Sequence, residues 1–343
     1  MCKRNELIDF FKGIFAIGVV FVHFPFPGVI GQMIASIGVV GVIFFFLISG
    51  YQSYSPNGES ANKLLIRFKR NLILTVFAVL VYFVFTVIEQ LIQGTFGEWI
   101  VIFQNPITYI KMIILGDFTM VHADALWFMP ALIYGYLIMY IIEKKRLNKI
   151  FYLLLPFLLL LRCGMETYTN SFSDISWLDW HFSGNFLVGA LPIMLLGNFL
   201  HRFVDKVKNI NGAVVITATI FAMALVFLFV NVKVSGMNIS QPFKIIAATL
   251  VFVICLIYDK AKAEPHISRF GKRYTLYIYL YHFLIGIFVM DMFEYFDLSE
   301  YCYDYILPFV ALALSTLLSV IMYKKDIEKI KSSIKSKLKN NAE

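Results

Sequence analysis

The sequence predicts an all-α polytopic membrane protein with about ten transmembrane helices and both termini in the cytoplasm. Three observations predict it. Hydrophobic residues fill 59% of the 343 positions and charged residues only 15%, where a soluble domain carries roughly half and a quarter. Several apolar runs reach the ~20 residues that cross a bilayer core as a helix. Lysine and arginine crowd into alternate loops, which sets orientation and requires an even number of spans.

The predicted spans are 8–24, 35–51, 71–93, 126–142, 149–162, 185–201, 213–232, 243–258, 274–292 and 305–323. Helix is expected because hydrocarbon cannot satisfy open backbone groups. A β-barrel would alternate apolar and polar residues, whereas these runs are continuous. The fifth span is short. The first is not expected to be a cleavable signal, since no small-x-small site follows it and polar residues lie within it. No soluble domain interrupts the spans. Residues 1–323 are read as the membrane domain and 324–343 as a basic cytoplasmic tail able to form an amphipathic helix on anionic lipid.

The orientation rests on the basic clusters: Lys3 and Arg4; Lys63, Arg67, Lys69 and Arg70; Lys144 to Lys149; Arg202, Lys206 and Lys208; Lys260 to Arg273; and the tail from Lys324. Loop 25–34 holds no basic residue, and 293–304 carries Glu294, Asp297, Glu300 and Asp304. The net charge of +8 is therefore a topology signal, and nucleic acid is not an expected partner. No metal is expected, because Cys2, Cys163, Cys255 and Cys302 show no CxxC or other ligand spacing. Cys163 and Cys302 both fall near outward loops, which permits a disulfide.

Span one holds the most informative residues. Asp9 and Lys12 are three apart, and His23 follows Lys12 by eleven, close to three whole turns. All three therefore share one stripe of one helix. Lys12 and His23 lie roughly 16 Å apart along the axis at helical rise. Such a stripe is costly against lipid, so it should face the bundle interior. Asp9 and Lys12 are equally explained as interfacial anchors. Asp9, about 21 Å from His23 at helical rise, reads as the partner of Lys12 or Arg4. His282 reads as a buried, hydrogen-bonded core residue. His122 and His181 read as solvated outer-loop residues, and His201 and His266 as ordinary cytoplasmic ones. Trp127, Trp177 and Trp180 read as interfacial aromatics able to stack on sugar rings. Glu89 is expected to reach water at the outer end of span three. Ser49-Gly50 and Gly38 suit close helix contact.

These segments resemble, in order, the membrane acyltransferase family 3. Asp9-x-x-Lys12-Gly13-Ile14 with His23 is similar to the family's first helix, with Lys12 where Arg is frequent. Gly41 to Tyr51 resembles its GvxxFFxxSGY helix. Arg67-x-x-Arg70 resembles its paired arginines, with Ile66 where another Arg is often found. Leu126 to Leu132 resembles LWFLxAL, with Ala125 in place of the usual preceding His. Asn185 to Gly197 resembles NFxxxGxPxFxxG, and Tyr274 to His282 resembles SLYIYLxH. Each motif alone is weak, but the ordered set covers nearly the whole chain.

The resemblance implies an O-acyltransferase of a bacterial-type cytoplasmic membrane. It would move an acyl group, commonly acetyl from cytoplasmic acetyl-CoA, to a hydroxyl of a glycan or lipid-linked sugar. Acetyl-CoA is then a co-substrate, with no bound cofactor expected. His23 is the expected catalytic residue, either as general base on the acceptor hydroxyl or as a carrier of the acyl group. Lys12, Arg67 and Arg70 are expected to bind donor phosphates, and Asp9 to support Lys12. Arg67 and Arg70 are equally explained by topology. A transporter of a small amino acid or acylated precursor on the same fold is the main alternative, favoured if Pro25, Pro27, Pro130, Pro156 or Pro192 breaks a helix at midplane. A scaffold for envelope synthesis is a third reading, disfavoured by the ionisable stripe. The acceptor and the oligomeric state are not legible.

Overall fold

The computed structural model describes residues 4–171, 185–230, 233–234 and 237–340. The long helices are α1 (Glu6–His23), α2 (Gly28–Tyr51), α3 (Ser60–Gln93), α4 (Phe128–Lys144), α5 (Asn148–Ser171), α6 (Leu191–Arg202), α7 (Gly212–Val230), α8 (Ser240–Ile257), α9 (Pro265–Arg273), α10 (Thr275–Tyr295) and α11 (Leu307–Asn340). Among the described residues the only strand pairing joins Lys233–Val234 to Met237–Asn238. Eight helices are long and apolar enough to cross a membrane. The two remaining predicted spans also form helix. One is α1, which carries Glu6, Asp9 and Lys12, and the other is a π turn at Phe186–Ala190 running into α6. The chain is an all-α polytopic membrane protein.

The chain forms two compact units. One comprises 1–38 and 260–343, the other 39–259. α2 passes from the first to the second after Gly38.

In the first unit, α1 starts where Asn5 caps the Ile8 N–H at 3.1 Å, satisfying a donor that has no intrahelical partner. Two glycine contacts then let backbone meet backbone. A Cβ on Gly18 would lie 2.9 Å from the Gly38 Cα, and one on Gly38 would collide with the Gly18 carbonyl. A Cβ on Gly13 would lie 2.8 Å from the Ile267 carbonyl, and one on Gly271 would strike the Asp9 carbonyl. Small residues are how membrane helices gain packing where lipid gives no hydrophobic drive. Below this, Val20 and Phe24 join Ile278, Val289, Leu307 and Ala311 in an apolar core shared by α1, α10 and α11.

α9 was expected as loop. Pro265 fits its first turn, where a missing N–H costs nothing. The Glu264 carboxylate accepts from the His266 and Ile267 N–H groups at 3.1 and 2.6 Å. Those bonds hold the Glu264 carboxyl below the usual carboxylate range. The basic residues of this segment therefore ride on a helix docked against α1, and the Ser268 hydroxyl donates to the Glu6 carbonyl at 3.3 Å.

In the second unit, α3 begins at Ser60, eleven residues before the predicted span, so Arg67 and Arg70 lie on a helix and not in a loop. It ends at Gly94, whose φ of 74° is left-handed. α5 is longer than the predicted fifth span, running to Ser171 straight through Pro156. The apolar signal fades at Arg162 and Glu166, but helix formation needs only backbone hydrogen bonds. Short helical turns fill 96–127, and the Trp99 indole N–H donates to the Met120 carbonyl at 2.7 Å. Gly50 and Gly197 make the close contacts that join α2 to α6.

Two possibilities that the sequence leaves open are not realised. Neither Cys163 nor Cys302 is in a disulfide, so the permitted Cys163–Cys302 bridge is not formed. The prolines do not break helices as a transporter would need. Pro25 and Pro27 lie in the α1–α2 turn, Pro130 and Pro192 lie in first turns, and the helix continues across Pro156. α11 extends the last span without interruption to Asn340.

Two outcomes follow from this packing. Gly38→Leu should destabilise the detergent-solubilised protein by about 1–3 kcal/mol or more through overpacking. Gly97→Ala, with nothing within 4 Å of its Cβ, should leave the thermal unfolding midpoint unchanged or raise it. The Glu264 cap should contribute fully above the ordinary carboxylate range and be lost as pH falls through its depressed pKa. Glu264→Ala should flatten that acid-side loss in thermal scans taken from neutral into acid pH.

Candidate functional site

Asp9 is the buried anchor of the α1 stripe, only 6% exposed. The Arg4 guanidinium forks onto it, Nε to Oδ2 and Nη2 to Oδ1, the latter at 2.9 Å. Lys12 Nζ lies 3.6 Å from Oδ1 on the same face. A buried carboxylate answered by two cations has its desolvation cost offset. Asp9 thus partners Arg4 and Lys12, as helical spacing predicts, and stays apart from His23.

His23 is the last residue of α1, and its partly exposed ring meets two rings of α10. Its centroid is 5.1 Å from that of His282, with planes at 52°. It is also 5.1 Å from Phe283, edge-on at 67°. Phe24 stacks on Phe283 at 6.0 Å and closes the apolar side. The ring therefore faces protein, not lipid alone. His282 is fully buried. Its Nδ1 lies 2.9 Å from the Ile278 carbonyl and 3.0 Å from the Tyr279 carbonyl. Its Nε2 is buried with no hydrogen-bond partner among the described residues. The reading of His282 as an ordinary core histidine is incomplete, because the fold sets it beside His23. The available signal was an ionisable residue deep inside an apolar span, which is a functional-site pointer by default.

The second unit holds the other expected donor residues. Arg67 Nη2 donates to Gln52 Oε1 at 3.1 Å, while Lys69 and Arg70 are exposed. The same unit holds a group around His201, expected from the sequence to be an ordinary cytoplasmic residue. The His201 ring stacks on Tyr51 at 4.1 Å and 13°. Its Nδ1 is 2.6 Å from the Tyr51 carbonyl, and Tyr54 meets it edge-on at 5.0 Å. Arg202 lies over the Tyr54 ring at 4.5 Å and forks onto Glu143 at 3.1 and 2.8 Å. Tyr152 donates to Asn198. His201 is therefore built into the end of the Ser49-Gly50-Tyr51 helix and is not an ordinary surface residue.

One further ionic contact departs from expectation, and a second carried none. Glu89, expected to reach water, is 2.8 Å from His122 Nδ1, and its side chain is 10% exposed. Its partner His122 is thus paired rather than simply solvated. Arg162 is buried, donates to the Gly189 carbonyl and lies 3.6 Å from Glu166. Trp127 packs on Phe46 and Phe128. Trp177, Trp180 and His181 lie outside the described residues. Among the described residues no cluster of three or more His, Cys, Asp or Glu could hold a metal.

A family model for an acyltransferase domain matches residues 5–324. No curated protein and no solved structure matches the chain. The match takes in α1 with His23, the Arg67–Arg70 pair, the α2 and α6 motifs and the His282 segment. The chain belongs to the acyltransferase 3 family of membrane O-acyltransferases.

Proposed function

We propose that this membrane acyltransferase moves an acetyl group from acetyl-CoA to a hydroxyl of a cell-envelope or exopolysaccharide sugar, in a bacterial-type cytoplasmic membrane. The observation that carries the reading is the α1 stripe. Lys12 is held by buried Asp9 near the basic end of the helix, and His23 stands three turns on, its ring partly exposed beside His282. A thioester with a long, thin arm can run along such a stripe, its phosphates left among cations at the cytoplasmic end.

In this reading His23 is the catalytic residue. It takes the acceptor hydroxyl's proton as that oxygen attacks the thioester carbonyl. Alternatively it accepts the acyl group on a ring nitrogen and passes it on, which suits transfer across a membrane. Lys12, Arg67 and Arg70 bind the donor's phosphates, for which guanidinium forks give charge and geometry. Arg67 and Arg70 suit this role because they are held on the first turns of α3, where a helix fixes their spacing. Asp9 supports Lys12 by holding its ammonium in place.

His23→Ala should lower release of CoA from labelled acetyl-CoA by at least about 100-fold in purified membranes, with the protein still membrane-inserted. Full transfer by that variant would remove His23 from the chemistry. Arg67→Ala and Arg70→Ala should raise the KM for acetyl-CoA with little change in kcat. An unchanged donor dependence would leave these arginines with topology alone. Comparison of envelope glycans by mass, with and without the protein, should show loss of acetyl groups and identify the acceptor.

A further inference from the structure

His282 is an ionisable group packed against the candidate catalytic ring, and its own surroundings leave little freedom in its protonation. Both groups at its Nδ1 are backbone carbonyls, from Ile278 and Tyr279. A carbonyl only accepts, so Nδ1 must carry a proton. In the neutral ring Nε2 is then a bare lone pair. That atom is buried and has no partner among the described residues, although buried polar atoms are almost always paired. An orphaned acceptor in an apolar span is costly unless something meets it in the working state.

The ring that carries this atom packs against the His23 ring. An N–H···N hydrogen bond of about 3 Å between facing ring edges places two imidazole centroids roughly 5 Å apart. The observed centroid separation is 5.1 Å. The separation therefore suits a bond between a His23 nitrogen and His282 Nε2, and His23 is not fully buried. His282 itself is fixed by two carbonyls and complete burial.

We propose that His282 is a positioning residue that acts through His23: it accepts the N–H of one His23 nitrogen and so fixes the other as the free lone pair. The proposal rests on His23 being the catalytic group. It works as the third member of a nucleophile–base–orienter arrangement works, with a neutral imidazole in place of the more usual carboxylate. A carboxylate in this apolar setting would need a buried counter-charge, whereas a neutral ring needs none.

The proton balance is complete within the reactants. The acceptor O–H proton moves to the free His23 nitrogen as the acceptor oxygen bonds to the thioester carbon. The C–S bond breaks, and the same proton passes to the departing thiolate to give the thiol. Throughout, the second His23 N–H donates to His282 Nε2, which spreads the transient positive charge over two rings. If His23 instead carries the acyl group, its free nitrogen bonds to the thioester carbon as the C–S bond breaks and its N–H proton shifts to His282 Nε2; when the acceptor oxygen then bonds to the acyl carbon and the C–N bond breaks, His282 returns that proton to His23 and the acceptor proton goes to the thiolate. One lone pair, on one defined nitrogen, is needed either way.

The test uses the full-length protein in detergent and two substitutions. His282→Phe keeps ring volume and deletes the acceptor. His282→Gln can place an amide oxygen where Nε2 stood. Diethyl pyrocarbonate acylates an imidazole nitrogen bearing a free lone pair, and mass mapping reads its rate at His23 without any reference to acyl-CoA. His282→Phe should slow labelling of His23 several-fold, and His282→Gln should recover much of the wild-type rate. In acetyl-CoA assays the Phe variant should lose roughly 10–100-fold in kcat, the scale seen for orienting partners, with KM for the donor little changed and the Gln variant intermediate. Thermal unfolding checks that each variant is folded. Equal labelling of His23 in the folded wild type and Phe variant would overturn the proposal. So would a Gln variant that is folded yet no better than Phe in both measurements. A labelling difference in a protein that releases no CoA would instead retain the His282 role and remove acetyl-CoA as donor.

Discussion

The polar stripe of α1 can be kept from lipid only because helices approach that helix at backbone distance. Gly18 meets Gly38, and Gly13 meets the segment around Ile267 and Gly271. Between apolar helices in a bilayer, van der Waals packing replaces the hydrophobic drive, and it is strongest where no side chain intervenes. The close contacts bring α2 and α9 to the same helix that bears Asp9, Lys12 and His23. An Ala or Leu in these positions would push the neighbours outward and open the ionisable face to hydrocarbon.

Ionisable groups elsewhere in the spans follow the same logic. Arg202 is answered by Glu143 and a tyrosine ring, His201 by the Tyr51 ring and carbonyl, Arg162 by Glu166 and a carbonyl, and Glu89 by His122. Pairing of this kind keeps charged groups in a low-dielectric setting at tolerable cost, though a buried pair is weak support for stability in itself. It does hold side chains in one geometry. The His23–His282 contact differs, because one nitrogen there remains without a partner among the described residues. Incomplete pairing beside a partly accessible ring is where chemistry has room to occur.

The helices also provide a frame that a loop could not. Lys12, His23 and His282 all project from helices whose backbone bonds are satisfied internally, as hydrocarbon requires. Their positions are set by helix register and not by a flexible segment. Fold alone does not choose an activity. The family match is what ties this bundle to acyl transfer.

Much was legible before any coordinates. The eight helices long and apolar enough to cross a membrane were all legible from hydropathy, since burial in lipid is written residue by residue. The Asp9–Lys12 pairing followed from an i, i+3 spacing, which is local geometry. Helix ends were less legible. α3 begins well before its apolar stretch and α5 continues past Arg162, because hydropathy reports contact with lipid while helix needs only its own hydrogen bonds. α9 and the turns of 96–127 were missed for the same reason.

What the sequence by itself determined is therefore the class of molecule, the approximate spans, and the stripe that puts His23 on the same face as Lys12. What only the tertiary structure decided is which groups from distant helices meet: His282 with His23, His201 with Tyr51, Glu89 with His122. Periodicity fixes the face of a residue within its own helix. The rotation and depth of one helix against another are set by packing, and no short stretch of chain encodes them.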